Sequence, residues 1–235
     1  MQLLVTCEHG GNRVPQPYAA LFRDGRDVLA THRGYDAGAL ELARKMARRF
    51  DAPLAVSTTT RLLADLNRSP GHPRLFSEFT STLDESFKRA ILLRHHEPYR
   101  RRVQQQAAAL IGRGRRVLHV SVHSFTPELD GEVRNADVGL LYDPRRKRER
   151  RLVLLWRSAL RSLRPELRVR RNYPYLGRSD GLVTTLRGRF PVASYLGLEL
   201  EVNQLWSTGD RPAWQQLQRD LLASLAAVLA AFANP

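Results

Sequence analysis

Short apolar runs alternate along the chain with longer segments in which apolar residues recur at helical spacing. The runs predict strands at residues 2–6, 54–57, 117–122, 138–141, 168–171 and 194–202. Several of these runs are apolar throughout rather than at every second position, which is typical of strands that are covered on both faces. We therefore expect a central sheet with helices on both sides.

The segments between these runs predict helices, at residues 37–50, 83–112, 147–163 and 213–232. Pro98 predicts a break or kink in the second of them, because proline lacks an amide N–H and disfavours helical geometry at Glu97. Strands that alternate with helices favour an α/β fold of three layers, α/β/α, around a mixed, mostly parallel sheet. Residues 58–81 and 172–191 lack periodicity and predict loops over the edge of the sheet.

Length and composition are typical of one globular domain, which we expect to span residues 1–235. The chain is 43% hydrophobic, and no apolar run is long enough to cross a bilayer. The first residues do not have the basic segment and apolar core of an export signal. The single cysteine, Cys7, excludes an internal disulfide and suits a reducing compartment. Together these features predict a cytoplasmic protein with no membrane partner.

The net charge of +15 is the most unusual bulk property and raises the possibility of a basic nucleic-acid-binding protein. Apart from Lys45, Lys88 and Lys147, every basic side chain other than histidine is an arginine. The arginines are spread along the chain, and the short clusters at 100–102 and 145–151 are not interleaved with aromatic residues, as single-strand binders require. We therefore favour a role for the charge in steering a small anionic substrate.

Histidines lie at the carboxyl ends of two predicted strands. His9 follows the first strand in a glycine turn, and His123 is the last of His119, Ser121 and His123, which alternation places on one face of the third. Ligands of open α/β sheets bind beyond the carboxyl ends of the strands. Because histidine is a common metal ligand, His9 and His123 could bind one ion.

Two further segments carry side chains suited to hydrolysis of an acidic substrate. Glu199 and Glu201 alternate with apolar residues in the last strand, where a carboxylate is costly unless it is paired or functional. Glu201 is nearer the strand end and is the better candidate for a base, whereas a solvated face of an edge strand would account for Glu199. Arg61 and Arg68 bracket a short apolar stretch, and arginine binds carboxylates bidentately.

Four segments, in this order along residues 3–206, resemble the motifs of the N-formylglutamate amidohydrolase family: Cys7-Glu8-His9-Gly10-Gly11-Asn12, Arg61…Asp65-Leu66-Asn67-Arg68, His123-Ser124 and Glu201-Val202-Asn203-Gln204. The tract 172–181 also resembles a loop of this family. The family is related to the zinc carboxypeptidases and to the aspartoacylases.

The resemblance implies a zinc-carboxypeptidase-like (phosphorylase/hydrolase-like) fold that binds one Zn²⁺. It implies hydrolysis of the amide of a small N-acylated acidic amino acid, such as N-formylglutamate, by metal-activated water. Matching the motifs residue by residue gives these roles: His9 and His123 as zinc ligands, Glu201 as the group that activates water, Arg61 as the group that polarises the scissile carbonyl, and Asn67 and Arg68 as the substrate carboxylate site. Arg178, in the family-like loop, is a further candidate for substrate binding.

The third metal ligand is left open by the motifs. The carboxypeptidases have a glutamate three residues after the first histidine, where this chain has Asn12, a poor zinc ligand. Asp36 is the expected alternative, although its place before a predicted helix also suits an N-cap. Glu8 is a third option, but alternation would point it away from His9.

Two rival functions fit parts of the same pattern. A zinc hydrolase for another N-acyl amino acid or peptide-like amide would share every motif, since the shape of the pocket decides between substrates. A cysteine hydrolase could use Cys7 and His9, which alternation would place on one face. The cysteine mechanism gives His123 and Glu201 no role, so we favour the metal-dependent reaction.

Overall fold

A mixed sheet forms the centre of the computed structural model, which describes residues 1–233. Its strands are β1 (Gln2–Cys7), β2 (Leu54–Val56), β3 (Val117–Phe125), β6 (Val138–Leu141), β7 (Val169–Arg171) and β8 (Tyr195–Asn203), and a separate hairpin is formed by β4 (Glu128–Leu129) and β5 (Glu132–Val133). The order across the sheet is β2-β1-β3-β8-β6-β7. All neighbouring pairs are parallel except β6 and β8. The predicted mixed, mostly parallel sheet is therefore confirmed.

Helices cover both faces of the sheet. They are α1 (Arg26–Leu29), α2 (Ala39–Arg49), α3 (Glu85–Ile91), α4 (Glu97–Gly112), α5 (Lys147–Leu163), α6 (Leu182–Arg189), α7 (Gln204–Thr208) and α8 (Arg211–Ala233), with a 3₁₀ helix at Gln16–Gly25. Apolar residues of α2, α5 and α8 pack on one face of the sheet, and those of α4 and α6 pack on the other. This arrangement confirms the predicted three layers.

Local predictions differ from the structure at two places. Glu97 keeps helical angles (φ −62°, ψ −43°), so the predictions of a break at Pro98 and of a non-helical Glu97 are wrong. The chain instead forms a π-helical turn at Leu92–His96, just before the proline, where a widened turn accommodates the missing N–H. Helix α6 lies inside the stretch predicted to be a loop, because eight residues are too few to give a clear helical period.

Strand register places a row of polar side chains on the α4 and α6 face. Ser121 pairs with Glu199 and His123 with Glu201 between β3 and β8, so all four side chains point to the same side near the carboxyl end of both strands. Strand β8 lies between β3 and β6 rather than at an edge. The edge-strand interpretation of Glu199 is therefore wrong, and this carboxylate is buried.

Within residues 1–233, no helix has both the length and the apolar character required to span a lipid bilayer.

Candidate metal centre and active site

Side chains of His9, Asp36 and His123 meet beyond the carboxyl ends of β1 and β3. All three are buried, with at most 3% of each residue exposed. Asp36 Oδ2 lies 2.8 Å from His123 Nδ1 and 3.4 Å from His9 Nδ1. One possible ligand atom from each residue lies within 4.8 Å of the other two. The three residues form a compact set of two nitrogen donors and one oxygen donor.

The backbone brings His9 and Asp36 together before any metal is considered. Strand β1 ends at Cys7, and His9 lies in the following turn, where its carbonyl oxygen accepts a hydrogen bond from Asp36 N at 2.9 Å. A Cβ on Gly10 would lie 2.9 Å from Ser57 O, so the turn needs glycine to approach the next strand. The N-cap of α2 is Gly38, so the alternative role of Asp36 as an N-cap is wrong.

The second ring nitrogen of each histidine contacts a carboxylate. His9 Nε2 lies 2.7 Å from Asp65 Oδ1, and His123 Nε2 lies 3.3 Å from Glu8 Oε2 and 2.9 Å from Ser121 Oγ. Carboxylates in this position fix the tautomer and orientation of metal-binding histidines. Both Nδ1 atoms are thereby turned toward Asp36. Sequence reasoning missed these positioning roles of Asp65 and Glu8.

Two of the three candidates for the third ligand do not reach this set. Asn12 is exposed, and its Nδ2 donates a hydrogen bond to Leu29 O at 3.0 Å. Glu8 contacts the far nitrogen of His123 and accepts hydrogen bonds from Ser121 and Tyr99, at 2.5 and 3.0 Å. Asp36 alone among the candidates faces both Nδ1 atoms.

The chemistry of these donors fits a divalent cation. His9 Nδ1 is buried and has no hydrogen-bond partner among residues 1–233, which is costly unless another group satisfies it. Burial would lower the pKa of His123, but hydrogen bonds to Asp36 and Glu8 raise it well above its usual value. The carboxylates around His123 therefore stabilise positive charge at this position. Two histidines and one carboxylate are typical ligands of a catalytic zinc site.

Arg61 lies beside the donor set. Its Nη2 donates to Asp65 Oδ2 at 2.7 Å, and its Nη1 lies 3.4 Å from Asp36 Oδ1. Burial would lower the pKa of this guanidinium, but Asp65 and Asp36 raise it. The two carboxylates hold Arg61 in a fixed orientation, so it can present a positive charge to the cavity without reorganising.

Glu201 faces the same space from β8. It is only 4% exposed, and its Oε2 has no hydrogen-bond partner in the described part of the chain. Burial raises the pKa of Glu201 to about 7, against a smaller opposing effect of His123. A general base works best when its pKa is near the operating pH. The position and the pKa of Glu201 both suit proton transfer.

Asn67 and Arg68 connect this site to the loop before α6. Asn67 Oδ1 accepts a hydrogen bond from Leu182 N at 2.8 Å, and Arg68 Nη1 donates to Asp180 O at 3.1 Å. Both residues also line the cavity above the donor set. These contacts with backbone groups hold both side chains in place, and Arg68 keeps guanidinium nitrogens that make no hydrogen bond within residues 1–233.

A cavity of about 380 Å³ joins these groups. Residues predicted from the sequence that line it are His9, Asp36, Arg61, Asn67, Arg68, His123 and Glu201. Arg178 is exposed and does not line it, although its neighbours Ser179 and Asp180 do. A role of Arg178 in substrate binding stays a prediction.

Residues 1–206 match the family model of the N-formylglutamate amidohydrolases. The chain belongs to this family. It is therefore a hydrolase that acts on an amide bond. No curated protein sequence matches the chain significantly.

Solved structures share the fold of this amidohydrolase. A gene product from Agrobacterium tumefaciens is 28% identical with a TM-score of 0.85, and the alignment covers 99% of this chain and 92% of the other. An N-formylglutamate amidohydrolase from Ralstonia eutropha JMP134 is 19% identical with a TM-score of 0.69, and the alignment covers 98% of this chain and 93% of the other.

Cys7 does not face the cavity of this amidohydrolase. Because β1 ends at Cys7, strand alternation does not extend to His9, and the thiol packs in the core between the sheet and α2. Burial raises the pKa of Cys7 well above its usual value, and the charge of Glu8 raises it further. A nucleophilic cysteine needs a lowered pKa and access to substrate. The structure therefore gives no support to the cysteine mechanism.

Cys7→Ala is expected to keep kcat/KM within about twofold of the parent enzyme, because the thiol contacts core residues rather than the cavity. Activity should be compared at equal folded fraction, measured by circular dichroism, since the smaller side chain leaves a void. If folded Cys7→Ala protein instead turned over substrate about 100-fold more slowly, the cysteine mechanism would be restored.

Proposed function

We propose that the protein is a zinc-dependent amidohydrolase that cleaves the amide of a small N-acylated acidic amino acid, such as N-formylglutamate. The observation that carries this proposal is the convergence of His9, Asp36 and His123 beside Glu201 in one cavity. Membership of the amidohydrolase family supports the reaction class. The arginines of the cavity support an anionic substrate.

His9 Nδ1, Asp36 Oδ2 and His123 Nδ1 would hold the zinc ion. Bound there, Zn²⁺ supplies a Lewis acid that makes water more acidic and polarises a carbonyl. The protein holds the three donors in register through Asp65 and Glu8, which bind the far nitrogens of the two histidines. With the proton of each histidine held at Nε2 by these carboxylates, both Nδ1 atoms would be free to bind the ion.

Glu201 moves the proton in the proposed reaction. Its carboxylate takes a proton from the attacking water as the oxygen–carbon bond forms. It then donates the same proton to the leaving nitrogen as the carbon–nitrogen bond breaks, so that the products are a free carboxylic acid and a free amine. A pKa of about 7 allows Glu201 both to accept and to release the proton near neutral pH.

Arg61 stabilises the negative charge that develops on the carbonyl oxygen. Asp36 and Asp65 hold its guanidinium at the wall of the cavity, so the positive charge is in place before the reaction begins. Preorganised charge of this kind is often the largest contribution to catalysis.

Asn67 and Arg68 hold the carboxylate of the substrate. The remaining guanidinium nitrogens of Arg68 make no hydrogen bond within residues 1–233, and the group lines the cavity. A carboxylate bound there would be fixed relative to Glu201 and Arg61, so that the amide is oriented for attack.

The direct test uses full-length protein purified without added zinc. We expect close to one zinc ion per chain by elemental analysis, and release of formate from N-formyl-L-glutamate but less from N-formyl-L-glutamine, which lacks one carboxylate. Removal of the metal with a chelator should abolish formate release, and added zinc should restore it. Metal-free protein with full activity, or zinc-loaded protein inactive on every N-acyl amino acid, would contradict the proposal.

A further inference from the structure

A second cavity, of about 370 Å³, adjoins the active-site cavity. Arg61, Arg68 and Arg74 line both spaces, so the two cavities share a wall. We call the second space the outer cavity and define it by Arg33, Leu62, Arg74 and Phe76, which line its sides. N-formylglutamate is a small molecule, and it does not need both spaces.

The arginines of the shared wall differ in whether a carboxylate of the protein already pairs with them. Arg61 already pairs with Asp36 and Asp65, which orient its guanidinium toward the active-site cavity. In contrast, the exposed side chain of Arg74 makes no hydrogen bond or ion pair with any residue in the described part of the chain, 1–233. An arginine at the junction of two cavities therefore has its whole guanidinium available to a ligand.

The far side of the outer cavity is also cationic. Arg33 lies there and pairs with Glu78, but both side chains are about half exposed, so the pair is weak and can be exchanged for a ligand. Burial lowers the pKa of the neighbouring His32, and the charges of Arg134 and Arg33 lower it further. The outer cavity is therefore surrounded by several positive charges. The carboxylates that line it, Asp65 and Glu78, are already paired with arginines.

Apolar side chains lie between the charged groups. Leu62 and Phe76 contribute to the lining of the outer cavity, next to Arg74. A cavity with one cationic end and an apolar wall suits a ligand with a short carbon chain and an anionic group at the end of that chain. A planar guanidinium binds a carboxylate bidentately, so carboxylate is the anion that Arg74 best matches.

We propose that the outer cavity binds a distal carboxylate of an elongated substrate, one beyond the two carboxylates of an N-acylglutamate and joined to the scissile amide by a chain of several atoms. The inference rests on the proposed amidohydrolase function and extends it to the class of N-acyl compounds with a distal acid group. That acid could belong to the amine side, as in an N-acyl acidic dipeptide, or to the acyl side, as in an N-succinyl amino acid.

The test compares pairs of substrates that differ only in the distal charge. N-formyl-Glu-Glu and its neutral counterpart N-formyl-Glu-Gln-amide probe the amine side. N-succinyl-Glu and the corresponding succinamoyl compound, with a terminal amide, probe the acyl side. We expect kcat/KM to favour the charged member of one pair by about tenfold, as a new charge-assisted contact would give. The pair that shows the preference identifies the side of the substrate that enters the outer cavity.

Arg74→Ala should reduce that preference for the charged substrate to about twofold or less, because the guanidinium that recognises the acid is lost. Arg74→Lys should keep part of it, since lysine retains the charge but not the planar fork. Arg102→Ala is the matched control: it removes one exposed arginine from α4, away from both cavities, and should leave the preference unchanged.

Failure of the inference and failure of the proposed function give different results. If the zinc-loaded enzyme releases formate from N-formylglutamate but prefers neither charged substrate, the outer cavity does not bind a distal carboxylate and the inference is wrong. An equal loss of preference in Arg74→Ala and Arg102→Ala would also overturn it, because net charge alone would then explain the effect. If no N-acyl compound is cleaved, the proposed function itself fails.

Discussion

Glu201→Gln is expected to lower kcat by about 10²–10⁴-fold while the bound zinc stays at the parent level. Glutamine keeps the size of the side chain but cannot accept the proton of the attacking water. The carboxylate is buried and is not among the three converging donors, so the exchange leaves the metal ligands intact. Steady-state formate release from N-formylglutamate, together with elemental analysis of the same preparation, measures both quantities.

Glu199→Gln is the matched control for this prediction. Glu199 lies two residues earlier on the same strand, lines the same cavity and is also buried, and burial likewise raises its pKa. If Glu201 alone transfers the proton, Glu199→Gln should change kcat by less than about tenfold. Equal losses in the two variants would mean that the pair acts together, and an active Glu201→Gln enzyme would remove Glu201 from the role of base.

Much of the site could be predicted because strand ends meet in a parallel sheet. His9, His123 and Glu201 follow or end apolar runs, and the register of β1, β3 and β8 gathers them at one edge. The apolar runs alone therefore indicated which segments converge. The family-like motifs added Arg61, which neither periodicity nor composition would have distinguished from the many other arginines of the chain.

The roles of Asp65 and Glu8 were missed because they depend on contacts between distant segments. Asp65 lies 56 residues from His9 along the chain, so no local pattern connects them. A signal was present for Glu8: alternation places it on the same face as Thr6, and Thr6 pairs with Ser121, two residues before His123. Extending this register by two residues brings Glu8 beside His123.

The row of polar side chains continues below the metal centre with His119, which is neutral near pH 7. Thr6 Oγ1 lies 2.8 Å from His119 Nε2, and Tyr195 Oη lies 2.7 Å from His119 Nδ1. Burial lowers the pKa of His119 to about 4, so the imidazole is neutral while both of its nitrogens are satisfied. Buried polar groups with complete partners fix one packing of a sheet. This row supports β1 and β3 directly beneath His9 and His123.

His123→Ala is expected to abolish zinc binding and to lower kcat by about 10³-fold or more, because the Lewis acid contributes several kcal/mol of transition-state stabilisation. The variant removes the donor that lies 2.8 Å from Asp36 and leaves only one nitrogen donor near that carboxylate. Zinc content after dialysis against a defined free zinc concentration, and formate release at the same concentration, should fall together.

Asp65→Asn tests whether Asp65 positions the metal ligand His9 and does not itself bind the metal. Asparagine still reaches His9 Nε2 but holds the ring less firmly, so zinc affinity should weaken by about 10–100-fold. Activity should return only in part at higher zinc concentration, because the ion pair between Asp65 and Arg61 is also lost. For His123→Ala, the control for loss of an imidazole is His95→Gln, since His95 lies on the π-helical turn and does not line the active-site cavity. Because His123→Ala lacks a donor, excess zinc should partly rescue Asp65→Asn but not His123→Ala. Full zinc occupancy in His123→Ala would show that the ion binds elsewhere.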